Sequence, residues 1–390
     1  FRKWLREQYK DLNALNGQWE TDFAAWDDVT PMPVKDARAR AKAAEKAGKP
    51  ANYSPWMDHR RYGDLVYNRY IRHCSDSARA GGDPDACVGI GGGQHANPYG
   101  GWDYWLVANH FTWIENYFHI TTEYIRSFNP PGRALRGCTG ADVWFSLRNQ
   151  NMGFYRWVDM GHLRNDFSLL QRGEVTARQL EEVRGGGYAK LVLAARAVDD
   201  PIAIHYSQAT IRLAYALGKA NEYGYGGPLD AKKGWYRLVE ELGRQFKFVS
   251  YAQVEAGELG KGGYKLFILP ESAAMSDEEA DEMKKWVDAG GVPLVDRDRG
   301  GWNEHGRKRE TSLLETHFGI DPTAAAEKKI GKGRVIYLAD DFPRQYFKAR
   351  DTRPVEPYWE KMSGWLAAAG LGKARARAHR AADGLAGRRT

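Results

Sequence analysis

The 390-residue chain has 43% hydrophobic and 27% charged residues, which is ordinary for a globular protein, and it is long enough for two domains. Its net charge of +7 is spread over Ala-, Lys- and Arg-rich segments at 35–49 and 373–389 and forms no nucleic-acid-binding motif, so we expect no nucleic-acid partner. The sequence contains no run of about 20 apolar residues, so no membrane span is predicted. Cys74, Cys87 and Cys138 lack CxxC spacing, and neither a metal nor another cofactor is expected.

The chain opens within a helix. Trp4, Leu5 and Tyr9 fall at helical spacing, and Asp11 caps a second short helix. A domain rarely begins on an uncapped helix, so we expect the chain to be a piece of a longer polypeptide. Residues 30–53 are rich in Pro, Ala and Lys, which predicts a surface excursion.

Strands and helices alternate in the next part of the chain. Ser54 and Pro55 begin a helix that Gly81 stops. Strands are predicted at 87–90, 117–121, 134–138 and 167–170, with helices at 102–114 and 152–162. The glycines at 91–93 lack the spacing of a phosphate-binding loop and predict a turn after the first strand. The alternation predicts a parallel sheet built from βαβ units, at most half of a (β/α)8 barrel.

A second pattern of strands and helices begins at Asp199. Strands are predicted at 201–206, 246–251, 265–269, 292–295 and 334–338, with helices at 235–245 and from the Ser276 cap to Val287. This pattern predicts an open, doubly wound α/β domain. Its strand ends carry neither a dinucleotide-binding fingerprint nor a nucleophile elbow, which favours a structural or assembly role over catalysis.

Residues 94–157 mix aromatic and polar side chains. Five of the 14 tryptophans lie there, Trp102, Trp105, Trp113, Trp144 and Trp157, interleaved with Gln94, His95, Asp103, His119, Glu123, Arg126 and Asp142. Sugar rings have apolar faces and polar rims, so their pockets need flat aromatic groups beside carboxylates, amides and guanidinium groups. Aromatics alone would indicate a core and carboxylates alone a solvated surface. Together they favour a carbohydrate substrate.

Four segments resemble glycoside hydrolase family 42 β-galactosidases. Residues 1–29, FRKWLREQYKDLNALNGQWETDFAAWDDV, resemble the helix after the fourth barrel strand and the W-D-x-V turn behind it. Residues 191–217, LVLAARAVDDPIAIHYSQATIRLAYAL, are similar to the junction into the trimerisation domain of that family. Residues 286–320 and 331–346 resemble later parts of the same domain.

This resemblance implies an α/β fold in which the C-terminal half of a (β/α)8 barrel precedes an open doubly wound, flavodoxin- or amidotransferase-like domain. The predicted ranges are 1–175 for the barrel part, 176–198 for a helical linker, 199–345 for the α/β trimerisation-like domain, and 346–390 for a C-terminal helix and basic tail. It also implies a homo-oligomer, most plausibly a trimer.

The resemblance further implies retaining hydrolysis of β-galactosides or related glycans by two carboxyl groups, with the acid/base residue upstream of Phe1. The Met-Glu-Gln pattern that carries the nucleophile in typical members is missing. Asp142 is the carboxylate that follows the strand at 134–138, and Glu123, at the end of the preceding predicted strand, is the slightly favoured candidate. Arg126, three residues on, could hold Glu123 ionised.

Substrate-binding candidates surround these two carboxylates. Trp102 and Asp103 lie in a Gly-rich loop, where a tryptophan has little reason to serve core packing. Gln94, Trp144 and His119 complete the set, and His119 faces the barrel interior if its strand alternates. Three alternatives stay open: a plain Glu123–Arg126 helix-start pair, a turn-forming Asp142, and a non-catalytic carbohydrate-binding or assembly protein with a degenerate barrel.

Overall fold

The computed structural model describes residues 1–83, 86–129, 135–139, 143–148, 153–155, 161–195, 198–297 and 300–372. The strands are β1 (Gly89–Gly93), β2 (Trp113–Asn116), β3 (Leu135–Thr139), β4 (Gly153–Tyr155), β5 (Ile202–Tyr206), β6 (Lys247–Ser250), β7 (Leu266–Leu269), β8 (Val292–Asp296), β9 (Ala326–Ile330) and β10 (Gly333–Leu338).

The α-helices are α1 (Arg2–Tyr9), α2 (Leu12–Trp19), α3 (Val34–Lys46), α4 (Ser54–Ala80), α5 (Tyr104–Val107), α6 (His119–Phe128), α7 (Val143–Arg148), α8 (Gln171–Gly185), α9 (Tyr188–Ala194), α10 (Gln208–Ala216), α11 (Pro228–Glu241), α12 (Tyr251–Glu255), α13 (Glu258–Lys261), α14 (Asp277–Asp288), α15 (Leu313–Phe318), α16 (Phe342–Ala349) and α17 (Glu356–Ala368). Trp26–Asp28 and Ala108–His110 form short 3-10 helices. Within the described ranges, no helix is both long and apolar enough to cross a membrane.

The chain divides into two compact units. The six-stranded unit contains Phe1–His59, Asp199–Asn221 and Tyr225–Thr390, and the four-stranded unit contains Arg60–Val198 and Glu222–Gly224. This division differs from the predicted ranges, because it groups the first 59 residues with the later α/β domain rather than with the strands that follow them.

A buried carboxylate explains why the first 59 residues join the six-stranded unit. Asp58 accepts hydrogen bonds from the hydroxyl of Tyr9, from Nε1 of Trp19 at 2.7 Å and from Nδ1 of His305 at 2.6 Å. The other ring nitrogen of His305 lies 3.0 Å from Oε1 of Glu304. Carboxylates only accept hydrogen bonds, so an imidazole between two of them carries both protons.

The protonation of this cluster follows from its surroundings. Burial opposes the charge on His305, but the carboxylates of Asp58 and Glu304 outweigh it and raise the pKa of His305 to about 10. Burial likewise opposes the charge on Asp58, and the charge of His305 with the three donated hydrogen bonds lowers the pKa of Asp58 below its usual value. The pair therefore stays ionised at neutral pH and ties α1, α2 and the start of α4 to the loop around residue 305.

The sheet of the six-stranded unit has the order β6-β5-β7-β8-β10-β9, and every neighbour pair is parallel except β9 with β10. All residues of β5, β7 and β8 are buried. The Ser276 cap of α14 is confirmed, since its hydroxyl accepts from the backbone nitrogen of Glu279. Strand β9 was not predicted, because its residues AEKKI are mostly charged and exposed at the sheet edge.

The sheet of the four-stranded unit is parallel throughout and has the order β1-β2-β3-β4. A parallel sheet and its strand at 134–138 were expected, and β3 confirms both. Helix α3 replaces the expected surface excursion over 30–53; Ala37 and Ala41, one helical turn apart, are its buried face.

The predicted helix at 102–114 is wrong. Only α5 and a short 3-10 helix form, and β2 follows at once. The side-chain amide of Asn129 donates to the carbonyl oxygens of Ala108 at 2.7 Å and Phe111 at 3.1 Å. It thereby satisfies carbonyl groups that a longer helix would have used, and the chain can turn into β2.

The predicted strand at 117–121 is also wrong, because α6 occupies this segment. Ile120, Tyr124 and Phe128 lie four residues apart and are all buried, which is the spacing of a helix face. The predicted helix at 152–162 contains β4 in its described part, and the predicted strand at 167–170 is replaced by an isolated bridge between Leu163 and Leu169.

Candidate active site

The carboxyl edge of the four-stranded sheet holds a carboxylate that the sequence analysis did not single out. Glu115 is the penultimate residue of β2 and only 3% exposed. Its Oε2 accepts a hydrogen bond from the backbone nitrogen of Gly92 at 3.2 Å. In parallel α/β barrels, catalytic groups lie at this edge of the strands. Glu115 is therefore a candidate site residue by position as well as by chemistry.

The glycines of β1 make room for this edge. A Cβ atom on Gly91 would lie 3.1 Å from Oε2 of Glu115, and one on Gly92 would lie 3.3 Å from the hydroxyl of Tyr117. Gly92 also has φ of +81°, which other residues rarely adopt. The predicted turn at 91–93 is thus part of a strand, whose missing side chains leave space for Glu115 and Tyr117.

Aromatic and amide groups follow the ends of β1 and β2, at the same edge of the sheet. The rings of His95, after β1, and Phe118, after β2, stack with centroids 3.6 Å apart, and His95 is buried. Gln94 is exposed, and its side-chain amide nitrogen donates to the carbonyl oxygen of Gly92 at 3.2 Å. This edge therefore combines an aromatic face, an amide and a carboxylate, the mixture that a sugar ring needs.

Glu123, the favoured catalytic candidate, lies in the middle of α6 and not at the end of a strand. Its Oε2 accepts from Nε of Arg126 at 2.9 Å, and both side chains are buried. The predicted Glu123–Arg126 pair is therefore present, but in the helical layer. The expectation of a strand end is wrong because α6 replaces the strand. A catalytic role for Glu123 stays a prediction.

Trp102 and Asp103 are packed into the core of the four-stranded unit. The Trp102 ring is 7% exposed and lies 5.8 Å from that of Tyr104 and 5.7 Å from that of Tyr67. Asp103 is buried and caps α5, where its Oδ1 accepts from the backbone nitrogen of Trp105. The expectation that a loop tryptophan has little reason to pack in a core is wrong here, because Tyr67 on α4 covers it.

The remaining predicted residues lie on helices or outside the described residues. His119 is the first residue of α6 and not a strand residue. Trp144, on α7, is 39% exposed and meets Tyr188 edge to face at 5.6 Å. Asp142 lies outside the described residues, three positions after the end of β3.

A second polar constellation lies within the six-stranded unit. Nδ1 of His205 is 2.8 Å from Oγ of Ser272, and its Nε2 is 2.9 Å from Oε1 of Glu279. All three side chains are buried, and the cavity beside Ser272 measures only about 10 Å³. That volume holds at most one water molecule. The triad satisfies buried polar groups of the core and has no room for a substrate.

The fold defined by these two units is a mixed α/β fold with two largely parallel sheets. No protein-family model matches the chain, and no curated protein matches it. Solved structures do. Their fold extends over more than nine tenths of this chain, whereas the chain spans less than two thirds of the length of several of them.

Several of the structures to which the chain is similar are β-galactosidases. That of the haloarchaeon Halorubrum lacusprofundi has a TM-score of 0.64 and 14% identity, and the match covers 95% of this chain and 66% of that one. That of Bacillus circulans sp. alkalophilus has a TM-score of 0.64 and 15% identity, covering 95% and 66%. The family 42 exo-carrageenase of Bacteroides ovatus has a TM-score of 0.58 and 13% identity, covering 95% and 51%. The resemblance to family 42 enzymes is thus confirmed at the level of the fold.

Proposed function

We propose that the protein is a retaining glycoside hydrolase acting on β-galactosides or related glycans. In this proposal the four-stranded unit is the C-terminal part of a (β/α)8 barrel, and the six-stranded unit is a trimerisation-like α/β domain. The observation that carries it is the four-stranded sheet: its strands are parallel and follow one another in chain order, as consecutive barrel strands do. Its neighbours in fold are named as β-galactosidases.

The proposed chemistry needs two carboxyl groups about 5–5.5 Å apart. One carboxylate oxygen bonds to the anomeric carbon while the glycosidic C–O bond breaks, and the other carboxyl group gives its proton to the departing oxygen. Water then cleaves the glycosyl-enzyme bond with help from the second group. As the resemblance implies, we assign this acid/base role to a residue upstream of Phe1.

The nucleophile belongs in our proposal to the edge formed by β2 and β3. Glu115 pairs in register with Gly137 of β3, and neighbouring strands lie about 4.8 Å apart. Carboxylates from the ends of adjacent strands can therefore serve one sugar ring. Asp142, which follows β3, is the first candidate for the nucleophile, and Glu115 is the second.

Glu123 is the weakest of the three carboxylates for this role. In parallel barrels the catalytic groups lie at strand ends, whereas Glu123 lies in the middle of α6 and its carboxylate is paired with Arg126. The same observation supports the second candidate function, a carbohydrate-binding or assembly protein without hydrolase activity. A homotrimer belongs to either proposal through the trimerisation-like domain, and light scattering that shows a stable monomer at micromolar concentration would reject it.

Hydrolysis of an aryl β-galactoside by the full-length protein tests the proposed function. We expect Asp142→Asn or Glu115→Gln to lower kcat/KM by about 10³-fold or more, whichever is the nucleophile. Azide should restore turnover of that variant only, because a small anion can replace a missing carboxylate. Glu123→Gln is the matched control and should keep a rate within about tenfold of the wild type. Galactoside binding without turnover by the wild type would favour the non-catalytic alternative.

A further inference from the structure

The loop before α8 displays an exposed aromatic ring on a strained backbone. Residues 161–170, here called the α8 hairpin, fold back through the bridge between Leu163 and Leu169. Phe167 lies at the turn, 82% exposed and with φ of +64°. The left-handed region costs a residue with a side chain about 1–2 kcal/mol. Neither core packing nor backbone preference therefore accounts for a phenylalanine at this position.

Hydrogen bonds within the turn fix the position of Phe167. Its backbone nitrogen donates to the carbonyl oxygen of Arg164 at 2.9 Å, and Nη1 of Arg164 donates to the carbonyl oxygen of Leu169 at 2.7 Å. Oδ1 of Asp166 accepts from the hydroxyl of Ser168 at 2.6 Å and from its backbone nitrogen at 3.0 Å. These bonds lower the pKa of Asp166, so the carboxylate is ionised at neutral pH.

The base of the α8 hairpin is fixed to the first turn of α8. The backbone nitrogen of Leu170 donates to the carbonyl oxygen of His162 at 2.8 Å. A Cβ atom on Gly173 would lie 2.3 Å from that same oxygen, so only glycine permits this close approach. The ring of Phe167 is thus displayed from a braced loop, which lowers the entropy lost when a ligand binds it.

The position of the loop indicates what it binds. The α8 hairpin lies between β4 and α8, and loops that lead from a parallel strand to the next helix lie at the carboxyl edge of the sheet, where Glu115 also lies. Arg164, Asn165 and Asp166 flank the ring and are exposed. A flat apolar face among charged and amide groups suits a sugar ring, whereas a protein-binding hot spot lies in a larger patch that excludes water.

We propose that Phe167 is a stacking platform for a sugar ring of the glycan beyond the ring that is cleaved, so that the protein prefers oligosaccharides to monosaccharides. This inference rests on the proposed function, from which it takes the ligand class, β-linked galactosides. It adds an outer subsite with Phe167 as its platform and with Arg164 and Asp166 beside the hydroxyl rim.

Calorimetric titration of the full-length protein with galactose and with a β-linked galactotetraose tests the subsite. Phe167→Asn removes the ring with a residue that tolerates the left-handed region, and Phe167→Trp keeps a platform. We expect Phe167→Asn to weaken tetraose binding about tenfold and galactose binding less than twofold, and Phe167→Trp to retain tetraose affinity. Leu191→Ala, on α9, is the control, because Leu191 is also well exposed and should change neither affinity.

Each other result overturns the inference. The inference is wrong if Phe167→Asn binds the tetraose as tightly as the wild type does. It is also wrong if the variant loses affinity equally for both ligands, or if the wild type binds neither ligand. An altered oligomeric state with unchanged glycan binding would assign Phe167 to a protein contact instead. Hydrolysis is scored separately: a wild type that shows the expected binding pattern but cleaves no aryl β-galactoside keeps the subsite and loses the proposed function.

Discussion

The two sheets of the molecule share parallel architecture but differ in how they are covered. Every residue of β5, β7 and β8 is buried, and the helices of the six-stranded unit enclose them. Along β1 only Gly93 is fully buried, and exposed residues alternate with half-buried ones. Parallel sheets are normally buried on both faces. The central strands of the six-stranded sheet are thus covered on both faces, whereas β1, at the edge of the four-stranded sheet, is not.

The largest expected effect concerns Asp58, which links helices α1 and α2 to the loop around residue 305 in the six-stranded unit. Asp58→Ala leaves the charge of His305 and the donors of Tyr9 and Trp19 without their acceptor, so we expect a loss of about 3–5 kcal/mol in the free energy of unfolding. Asp27→Ala is the matched control, since Asp27 is 88% exposed and its ion pair with Arg2 spans 3.8 Å; it should cost less than about 1 kcal/mol. Urea-induced unfolding measures both. Equal losses of stability in the two variants would show that Asp58 does not link α1 and α2 to the loop around residue 305.

A matched pair of isoleucines tests the difference between the sheets directly. Ile268→Ala in β7 removes a fully buried side chain and should cost about 2–5 kcal/mol. Ile90→Ala in β1 should cost about 1 kcal/mol, because Ile90 is only half-buried. The midpoint of urea-induced unfolding of the 390-residue chain reports both values. If further barrel strands cover β1, the cost of Ile90→Ala should rise in the full-length protein, and similar costs already in the 390-residue chain would contradict the comparison.

The remaining prediction concerns the pH dependence of the Asp58–His305 pair. The pKa of His305 is raised to about 10 in the folded protein, so its stabilisation is complete below about 6.5 and is lost as the pH rises through 10. The pKa of Asp58 is lowered, so its contribution is present above about 3.8 and is lost on acidification below that value. Tyr9 and Glu304 are the other titratable groups facing His305.

We therefore expect the free energy of unfolding to fall by up to about 1.4 kcal/mol per pH unit between pH 7 and 10 through this pair. Thermal melts at pH 6, 8 and 10 measure the slope, and Asp58→Asn should flatten it. A wild type and a variant with the same slope would show that His305 is not held protonated by Asp58.

The share of the secondary structure that could be predicted from the sequence also differs between the two units. Strands β5, β7 and β8 were predicted because short apolar runs stand between clear caps, as at Ser276. In the four-stranded unit, tertiary contacts override the local pattern. The side chain of Asn129 ends the helix before β2, and the glycines of β1 leave space for Glu115 and Tyr117. In both cases the interacting residues lie far apart in the sequence.

The kinds of side chain in the candidate site were predicted, but most of the particular residues were not. Gln94 lies at the predicted edge, whereas Trp102 is packed in the core and Glu123 lies in a helix. Glu115 went unnoticed because the predicted helix at 102–114 took in the first two residues of β2, so no strand was expected there. The signal was weak, because the two apolar residues before it, Trp113 and Ile114, are fewer than the four to eight of a recognisable buried strand.

The most direct test of the account is to trap the proposed glycosyl-enzyme. A 2-deoxy-2-fluoro-β-galactoside with a good leaving group should label the full-length protein, because the fluorine slows both steps whereas the leaving group speeds only the first, so that the glycosyl-enzyme accumulates. Peptide mass spectrometry should place the label on Asp142, or else on Glu115, at the edge of the four-stranded sheet, and Asp142→Asn or Glu115→Gln should abolish it. A label on Glu123 or in the six-stranded unit, or an active protein that takes up no label, would contradict the account.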